Sequence, residues 1–472
     1  MTLLFVGHSF QYEIERLFRA FFPPIKIGLS DDISLAEGEY CLTQRTRGEN
    51  SICLLVRLCA QGSTIERTEN VSADTPEKEQ ERVMSVLLYR VLCEFTGTAL
   101  PWGILTGVRP IRLLAGYSDE YAAQKLLVSP EKLALARKID AVQAPALNAV
   151  PKNSFSLYVS IPFCPSRCSY CSFVSHSADK AAVRIDEYVG RLAQELAQTA
   201  QIAKECGLRL DTIYVGGGTP TTLSAQQLER LFSALEPFNR DFLREFTVEA
   251  GRPDTITRDK LNIIKQAGAD RISVNPQTMN DSVLAAVGRR HSTADTLRAY
   301  ELAREVGFDC INMDLIAGLP TDTEQGFCRS LDKAAELAPE NITVHSLSLK
   351  RAAALLHEAD RRTCGAAGMI DYTHRTLAQR GYIPYYLYRQ KNTADNQENT
   401  GYARAGKESL YNMFIMEEVQ TILACGAGAS TKLVDTENGR IKRIMNFKYP
   451  YEYLDRFDKI EEIKREVLDF FV

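Results

Sequence analysis

Over the middle of the chain, short apolar runs alternate with amphipathic stretches in a steady rhythm. The runs fall at 157–161, 212–215, 245–249, 271–274, 310–316 and 341–347, and the segments 186–205, 225–235, 259–266, 293–306 and 323–336 between them carry apolar residues at helical spacing. Strand, loop and helix repeated in this way predict an α/β arrangement of parallel strands with outer helices. About six such units make a partial (β/α)6 barrel.

The flanks have other patterns. Residues 3–6, 39–43 and 51–58 are strand-like and separated by polar, glycine-containing turns. Asp74-Thr-Pro-Glu-Lys-Glu then supplies a cap, a proline suited to a first turn and early acids, and Val83, Val86, Leu87 and Val91 follow at helical spacing. Residues 100–113 hold Trp102 among glycines and prolines that argue against a plain helix; Arg109 and Arg112 there either reach an anionic ligand or lie solvated. Helical stretches at 119–127 and 130–138 lead to 143–151, whose prolines mark a linker. Beyond about 350 the chain is aromatic-rich and irregular, with a strand-like 441–445, and reads as a mainly helical cap closing the open side of the barrel. The expected domains are therefore an α+β accessory domain (1–149), the partial barrel (150–349) and the cap (350–472).

With 472 residues, the chain is too long for one compact core, and 45% apolar content leaves burial unrestricted. A formal charge of −4 gives no global basic field, which argues against nucleic acid as the main partner. The start of the chain, Met1 to Val6, lacks the basic residues and long apolar run of a signal peptide, and no stretch approaches the length of a membrane span. Twelve scattered cysteines do not form a disulfide framework, and clustered thiolates need reducing conditions, so the expected location is cytoplasmic.

Three cysteines carry the candidate chemistry. Cys164, Cys168 and Cys171 lie on a short loop after the first central strand, where closely spaced thiolates can wrap one soft metal centre. Three thiolates on an iron-sulfur cube leave one iron open for a substrate or cofactor. A structural zinc site would normally want a second Cys or His pair; His176 is near, and buried unliganded thiols are the other alternative. After the second strand comes Gly216-Gly-Gly-Thr-Pro-Thr221, a plain turn in isolation but, in that place, a site where backbone can approach a ligand closely. Reactive groups of a parallel barrel sit at such strand ends.

Cys-x-x-x-Cys-x-x-Cys at a strand end followed by this glycine box resembles the radical S-adenosylmethionine (SAM) superfamily. Tyr158-Val-Ser-Ile-Pro-Phe-Cys164, the glycine box, Glu249, Gln277 and Asn312-Met-Asp-Leu-Ile-Ala-Gly-Leu-Pro320 together are similar to the oxygen-independent coproporphyrinogen III oxidase (dehydrogenase) family, and its HemZ-type branch fits best. The resemblance implies a radical SAM barrel, a [4Fe-4S] cluster on Cys164, Cys168 and Cys171, and one or two molecules of SAM. It implies that Gly217, Gly218 and Thr219 contact SAM, that Tyr158 and Tyr170 flank cluster and cofactor, and that Glu249, Gln277, Arg289 and Asp314 hold amino-acid or ribose parts of SAM. Carboxylates and an arginine suit those tasks, and could equally be ordinary ion pairs or caps.

The implied reaction is oxidative decarboxylation of coproporphyrinogen III propionates to vinyl groups, fed by a reductant such as flavodoxin or ferredoxin. Two positions depart from well-marked members: Phe173 stands where many carry a fourth cysteine, and Ser160 where they carry a histidine. Relatives also include enzymes that transfer methyl groups or open haem rings, and haem chaperones, which likewise lack the fourth cysteine but tend to carry a His-Asn pair followed by a Tyr-Trp segment that is absent here. Arg389 and Lys391, among Tyr385, Tyr386 and Tyr388, would suit a flat macrocycle with carboxylate arms, or belong to a tyrosine-rich core strand.

Overall fold

The computed structural model describes residues 1–22, 26–171, 176–348, 365–391 and 393–471, with only the backbone for 177–183. Phe173 and the 349/350 boundary fall outside the described residues. The chain forms two compact units, Met1–Asp140 with Arg389–Asn392, and Ala141–Tyr388 with Thr393–Val472.

The first unit contains β1 (Thr2–Val6), α1 (Gln11–Phe21), β2 (Gly28–Ser30), β3 (Tyr40–Arg47), β4 (Ser51–Ala60), β5 (Ser63–Ser72) and α2 (Glu77–Thr96). Its five strands form one sheet in the order β2-β1-β3-β4-β5. Every second residue of β4, from Ile52 to Ala60, is buried, as strand periodicity dictates, and joins a core with Ile14, Leu17 and Phe18 of α1 and Met84, Leu87 and Leu88 of α2. Short helices α3 (Pro110–Leu114) and α4 (Asp119–Lys125) follow, then α5 (Pro130–Asn148). The expected linker at 143–151 is therefore helix as far as Asn148. Pro145 sits inside it, and the helical bond from Ala149 N–H to Pro145 O shows that the turn continues past the ring.

Arg389 also departs from expectation. It is buried within the first unit, donates to Leu105 O, lies 5.7 Å above the ring of Trp102, and its backbone N–H donates to Val108 O at 2.8 Å. Lys391 Nζ lies 5.8 Å from the centre of the Tyr12 ring. Both cations thus serve the packing of the first unit around Trp102 and Tyr12, while Tyr385 and Tyr386 are core residues of a strand in the second unit.

In the second unit, β6 (Ser154–Ile161) is followed by a two-residue pair, β7 (Phe163–Cys164) and β8 (His176–Ser177), and by α6 (Ala178–Glu205). The alternation continues as β9 (Arg209–Gly217), α7 (Ala225–Ser233), β10 (Glu245–Glu249), α8 (Arg258–Gln266), β11 (Arg271–Ser273), α9 (Asp281–Ala286), α10 (Thr293–Val306), β12 (Ile311–Ala317), α11 (Glu324–Glu336) and β13 (Asn341–Ser346). All six expected strands form and pair in parallel, in the order β6-β9-β10-β11-β12-β13. Capping boxes at Ser224 and Ser292 fix where α7 and α10 begin.

The C-terminal part holds the helices expected of a cap and five strands besides. It runs α12 (Ala366–Gln379), β14 (Ile383–Tyr388), β15 (Asn399–Ala403), α13 (Leu410–Glu417), β16 (Thr421–Cys425), β17 (Ser430–Asp435), β18 (Arg440–Met445), α14 (Pro450–Asp455) and α15 (Asp458–Phe471). Its five strands extend both ends of the sheet, to β14-β15-β13-β12-β11-β10-β9-β6-β16-β17-β18, with β16 parallel to β6. Both β15 and β16 are buried along their whole length, so neither shows the alternation that marks a strand with one wet face. Among the described residues no helix is long and apolar enough to cross a membrane.

Candidate active site

Alternation along the parallel strands separates two faces. Leu157, Val159 and Ile161 of β6, Ile213 and Val215 of β9, Phe246 and Val248 of β10, Ile311, Met313 and Leu315 of β12, and Ile342 and Val344 of β13 belong to one apolar core with the helices. The intervening residues point to the opposite face, and there the sequence is polar or aromatic: Tyr158, Tyr214, Glu249, Asn312, Asp314 and His345, all half-buried. One face of the sheet is therefore core, and the other is the polar and aromatic lining of the candidate chamber.

Midway along β6 and β9, rings stack on that lining. Tyr214 and Tyr411 lie 4.4 Å apart at 22°, and Tyr158 is 6.2 Å from Tyr214 and 6.4 Å from Tyr411. Tyr214 donates to Glu249 Oε1 at 2.6 Å. Withdrawal from water pushes the Glu249 carboxyl up to about 7; the Tyr214 hydrogen bond opposes this and the Asp314 carboxylate adds to it. Across the lining, Asn312 donates to Asp314 Oδ1 at 2.8 Å, and Thr343 to Asn312 Oδ1 at 3.2 Å. His345 places Nε2 3.9 Å from Asp314 Oδ2 and Nδ1 3.2 Å from the Tyr388 hydroxyl.

The glycine box runs beside the cysteine loop. Gly218 N–H donates to Ile161 O at 2.8 Å and Thr219 N–H to Phe163 O at 2.7 Å. A Cβ at Gly218 would stand 2.6 Å from Phe163 O and 3.0 Å from Cys164 Sγ, so the residue must lack a side chain. At Gly216 a Cβ would meet Glu249 Cδ at 2.9 Å, so this glycine gives the carboxylate its place. Thr219 is buried, with Oγ1 3.4 Å from Cys164 Sγ.

Cys168 is buried, and Cys164 and Cys171 are half-buried. Their loop is held by Ser169 N–H on Val287 O at 3.1 Å and Cys171 N–H on Cys168 O at 3.1 Å. Behind it, buried Arg289 donates to Tyr170 Oη at 3.0 Å, Gly251 O at 2.8 Å and Asn275 O at 2.9 Å, so its forked end braces the loop and two strand ends. Burial raises the Tyr170 phenol well above its usual range, which keeps it neutral. Gln277 has φ 67°, a strained value for a non-glycine residue; it is held there by its N–H on Asp314 O and its carbonyl accepting from Ile316 N–H, both at 2.9 Å.

The sequence-derived candidates thus fall into two groups: Tyr158, Gly217, Gly218, Thr219, Glu249, Gln277 and Asp314 on or beside the chamber lining, and Tyr170 with Arg289 at the cysteine loop. Sequence reasoning missed Tyr214, Tyr411, His345, Asn275 and Arg252. His176 packs edge-on against Tyr449 and Tyr451, at 6.2 and 5.9 Å between ring centres. The Ser160 hydroxyl donates to Ala427 O at 2.9 Å, tying the end of β6 to the 426–429 turn.

Residues 158–334 match the radical SAM superfamily. The chain is 39% identical over 428 residues to the oxygen-independent coproporphyrinogen-III oxidase-like protein HemZ of Bacillus subtilis (strain 168), covering 86% of this chain and 85% of that one. It is 32% identical to the heme chaperone HemW of the same organism, over 66% of this chain and 82% of that protein. Among solved structures, the radical SAM enzyme coproporphyrinogen III oxidase (HemN) of Escherichia coli shares the fold, with a TM-score of 0.51 at 24% identity, covering 67% of this chain and 72% of that one.

The cofactors are a [4Fe-4S] cluster and SAM. The residues present fit them. Among the described residues no three His, Cys, Asp or Glu side chains converge on a point that could hold a single metal ion; a cube makes no such demand, because each thiolate binds a different iron. The sulfurs of Cys164 and Cys168 also face polar partners, Thr219 and Arg252. Motif order, sheet order and similarity along most of its length agree: the chain belongs to the radical SAM superfamily and, within it, to the HemZ-type branch of the oxygen-independent coproporphyrinogen III oxidase family.

Proposed function

We propose that this chain carries out the oxygen-independent oxidative decarboxylation of coproporphyrinogen III propionates to vinyl groups, giving protoporphyrinogen IX in haem biosynthesis. Cys164, Cys168 and Cys171 hold the cluster, and Gly217, Gly218 and Thr219 line the approach of SAM. When bound, these cofactors would supply the radical that removes a hydrogen atom from the arm; the arm would then lose carbon dioxide and pass one electron to a one-electron acceptor, leaving the vinyl group.

The observation that carries this reading is the stack of Tyr158, Tyr214 and Tyr411 on the chamber lining, beside the glycine box. Flat walls that close a chamber against water suit a flat macrocycle. The Glu249 and Asp314 carboxylates accept from hydroxyl or ammonium groups of SAM, Tyr214 orients Glu249, and Arg289 holds Tyr170 against the cluster loop. A flavodoxin or ferredoxin supplies the reducing electron.

Anaerobic incubation of cluster-loaded protein with SAM, a reductant and coproporphyrinogen III is expected to yield protoporphyrinogen IX. Repeated absence of product with the cluster intact overturns the reading. Tight stoichiometric haem binding without turnover would replace it with a carrier role, as in the chaperone relatives.

A further inference from the structure

Immediately after β10, Arg252 lies buried with 3% of its surface exposed. Asp254 grips it from one side in a forked ion pair, Nε to Oδ1 at 2.9 Å and Nη2 to Oδ2 at 2.8 Å. Such a fork fixes the plane of the guanidinium and so aims its remaining nitrogen. That nitrogen, Nη1, donates to Ser166 O at 3.3 Å and Ser166 Oγ at 3.2 Å, and reaches Cys168 Sγ at 4.0 Å. His291 stands behind the fork, with Nδ1 3.9 Å from Asp254 Oδ1.

Cys168 thus faces the buried cations of both Arg252 and Arg289. A cation and an N–H directed at a thiolate draw electron density from the sulfur and favour the state with one more electron, and a dry setting strengthens both effects. We propose that Arg252, aimed by Asp254, is a positioning residue that raises the reduction potential of the cluster through Cys168. Its role is to bring the one-electron reduction within reach of the donor. The inference rests on the cluster assignment and not on the substrate, so it stands or falls apart from the tetrapyrrole reading.

The test is an EPR-monitored redox titration of the full-length, cluster-loaded protein, with iron and sulfide counted for each variant. Arg252→Gln is expected to keep its iron and to lose at least tenfold in the reduced-to-oxidised ratio at a fixed potential, which for one electron is a fall of about 59 mV. Arg252→Lys, which keeps the charge but loses the fork, is expected to fall between Gln and wild type. Ser166→Ala, which removes a loop contact without removing charge, is expected to titrate as wild type. If the glutamine variant does not load iron, the lysine variant decides: a lowered potential with full iron supports the proposal. An unchanged or raised potential in a loaded Gln or Lys variant overturns it. So does a shift in Ser166→Ala equal to that of Arg252→Gln, or failure of both Arg252 variants to hold iron, since either result makes Arg252 an anchor of the loop.

Discussion

Tyr214 and Glu249, on neighbouring strands β9 and β10, share a 2.6 Å hydrogen bond on the chamber side of the sheet, and the carboxyl so held titrates at about 7. A carboxyl that protonates near neutrality makes a proton and SAM competitors wherever the carboxylate is what SAM needs. The folded-state value is raised, so the charged form is complete above about pH 8 and is lost as the pH falls through 7. SAM affinity is therefore expected to be flat in mild alkali and to weaken below neutrality, approaching about tenfold per pH unit. Tyr214→Phe removes a bond that lowers the Glu249 value, and is expected to move the fall-off to higher pH. Calorimetric SAM binding across this range checks both, and a Glu249→Gln variant with the same pH profile as wild type refutes the assignment.

Gly218 gives a steric prediction. Its missing Cβ leaves room for Phe163 O and Cys164 Sγ, both at 3.0 Å or less from where that carbon would sit. Backbone cannot yield as a flexible side chain can, so Gly218→Ala has to push the cysteine loop away from β9. The cost is expected to be about 1–3 kcal/mol, the range for overpacking a well-filled site. A lowered midpoint in urea should accompany a several-fold loss of iron per chain after reconstitution. Full iron with native SAM binding would show that the loop tolerates the displacement.

The central strands and helices were legible because each repeats an apolar face against a polar one, and caps such as Ser292 mark the helix starts. The lining is legible too: Tyr158 with Ser160, Thr247 with Glu249, Asn312 with Asp314, and Thr343 with His345 are polar positions two apart inside otherwise apolar strands. Other elements carry weak local signals. Most of β5 is exposed and polar, with Ile65 and Val71 as its partly buried apolar positions, and it exists because β4 offers a partner. The opposite problem hides β16, buried throughout and indistinguishable by period from a helix core. The aim of Arg252 depends on an Asp two residues on and a loop more than eighty residues earlier, which no local pattern records.

Burial separates Cys164 and Cys171, half-buried on the loop, from Cys41 and Cys425 of the core. Burial pushes the Cys425 thiol up to about 12, and does the same for Cys41, so both are neutral at pH 8. A neutral buried thiol is a poor nucleophile. Brief treatment of cluster-free protein with iodoacetamide at pH 8, read by peptide mass spectrometry, is expected to label Cys164 and Cys171 well before Cys41 or Cys425. Cys425→Ala should keep full iron, while alanine at Cys164, Cys168 or Cys171 should abolish stable cluster assembly. Retention of iron by any of these three variants would remove that residue from the ligand set.

The last prediction concerns what holds the C-terminal strands to the barrel. Glu195 of α6 is fully buried and accepts from Gly426 N–H at 2.8 Å, Asn446 Nδ2 at 2.7 Å and Tyr453 Oη at 2.7 Å, while Lys464 of α15 lies 3.0 Å away and donates to Ala424 O. One carboxylate thus joins α6, the turn after β16, the residue after β18, and both final helices. Removing a single partner strands a buried charge, so Lys464→Met is expected to cost about 3–5 kcal/mol. Converting Glu195 as well, in Glu195→Gln/Lys464→Met, removes that charge and should cost less than the sum of the single changes. Urea unfolding followed by tyrosine fluorescence measures Lys464→Met, Glu195→Gln and the double variant. Strict additivity would show that the ion pair contributes nothing beyond its separate hydrogen bonds.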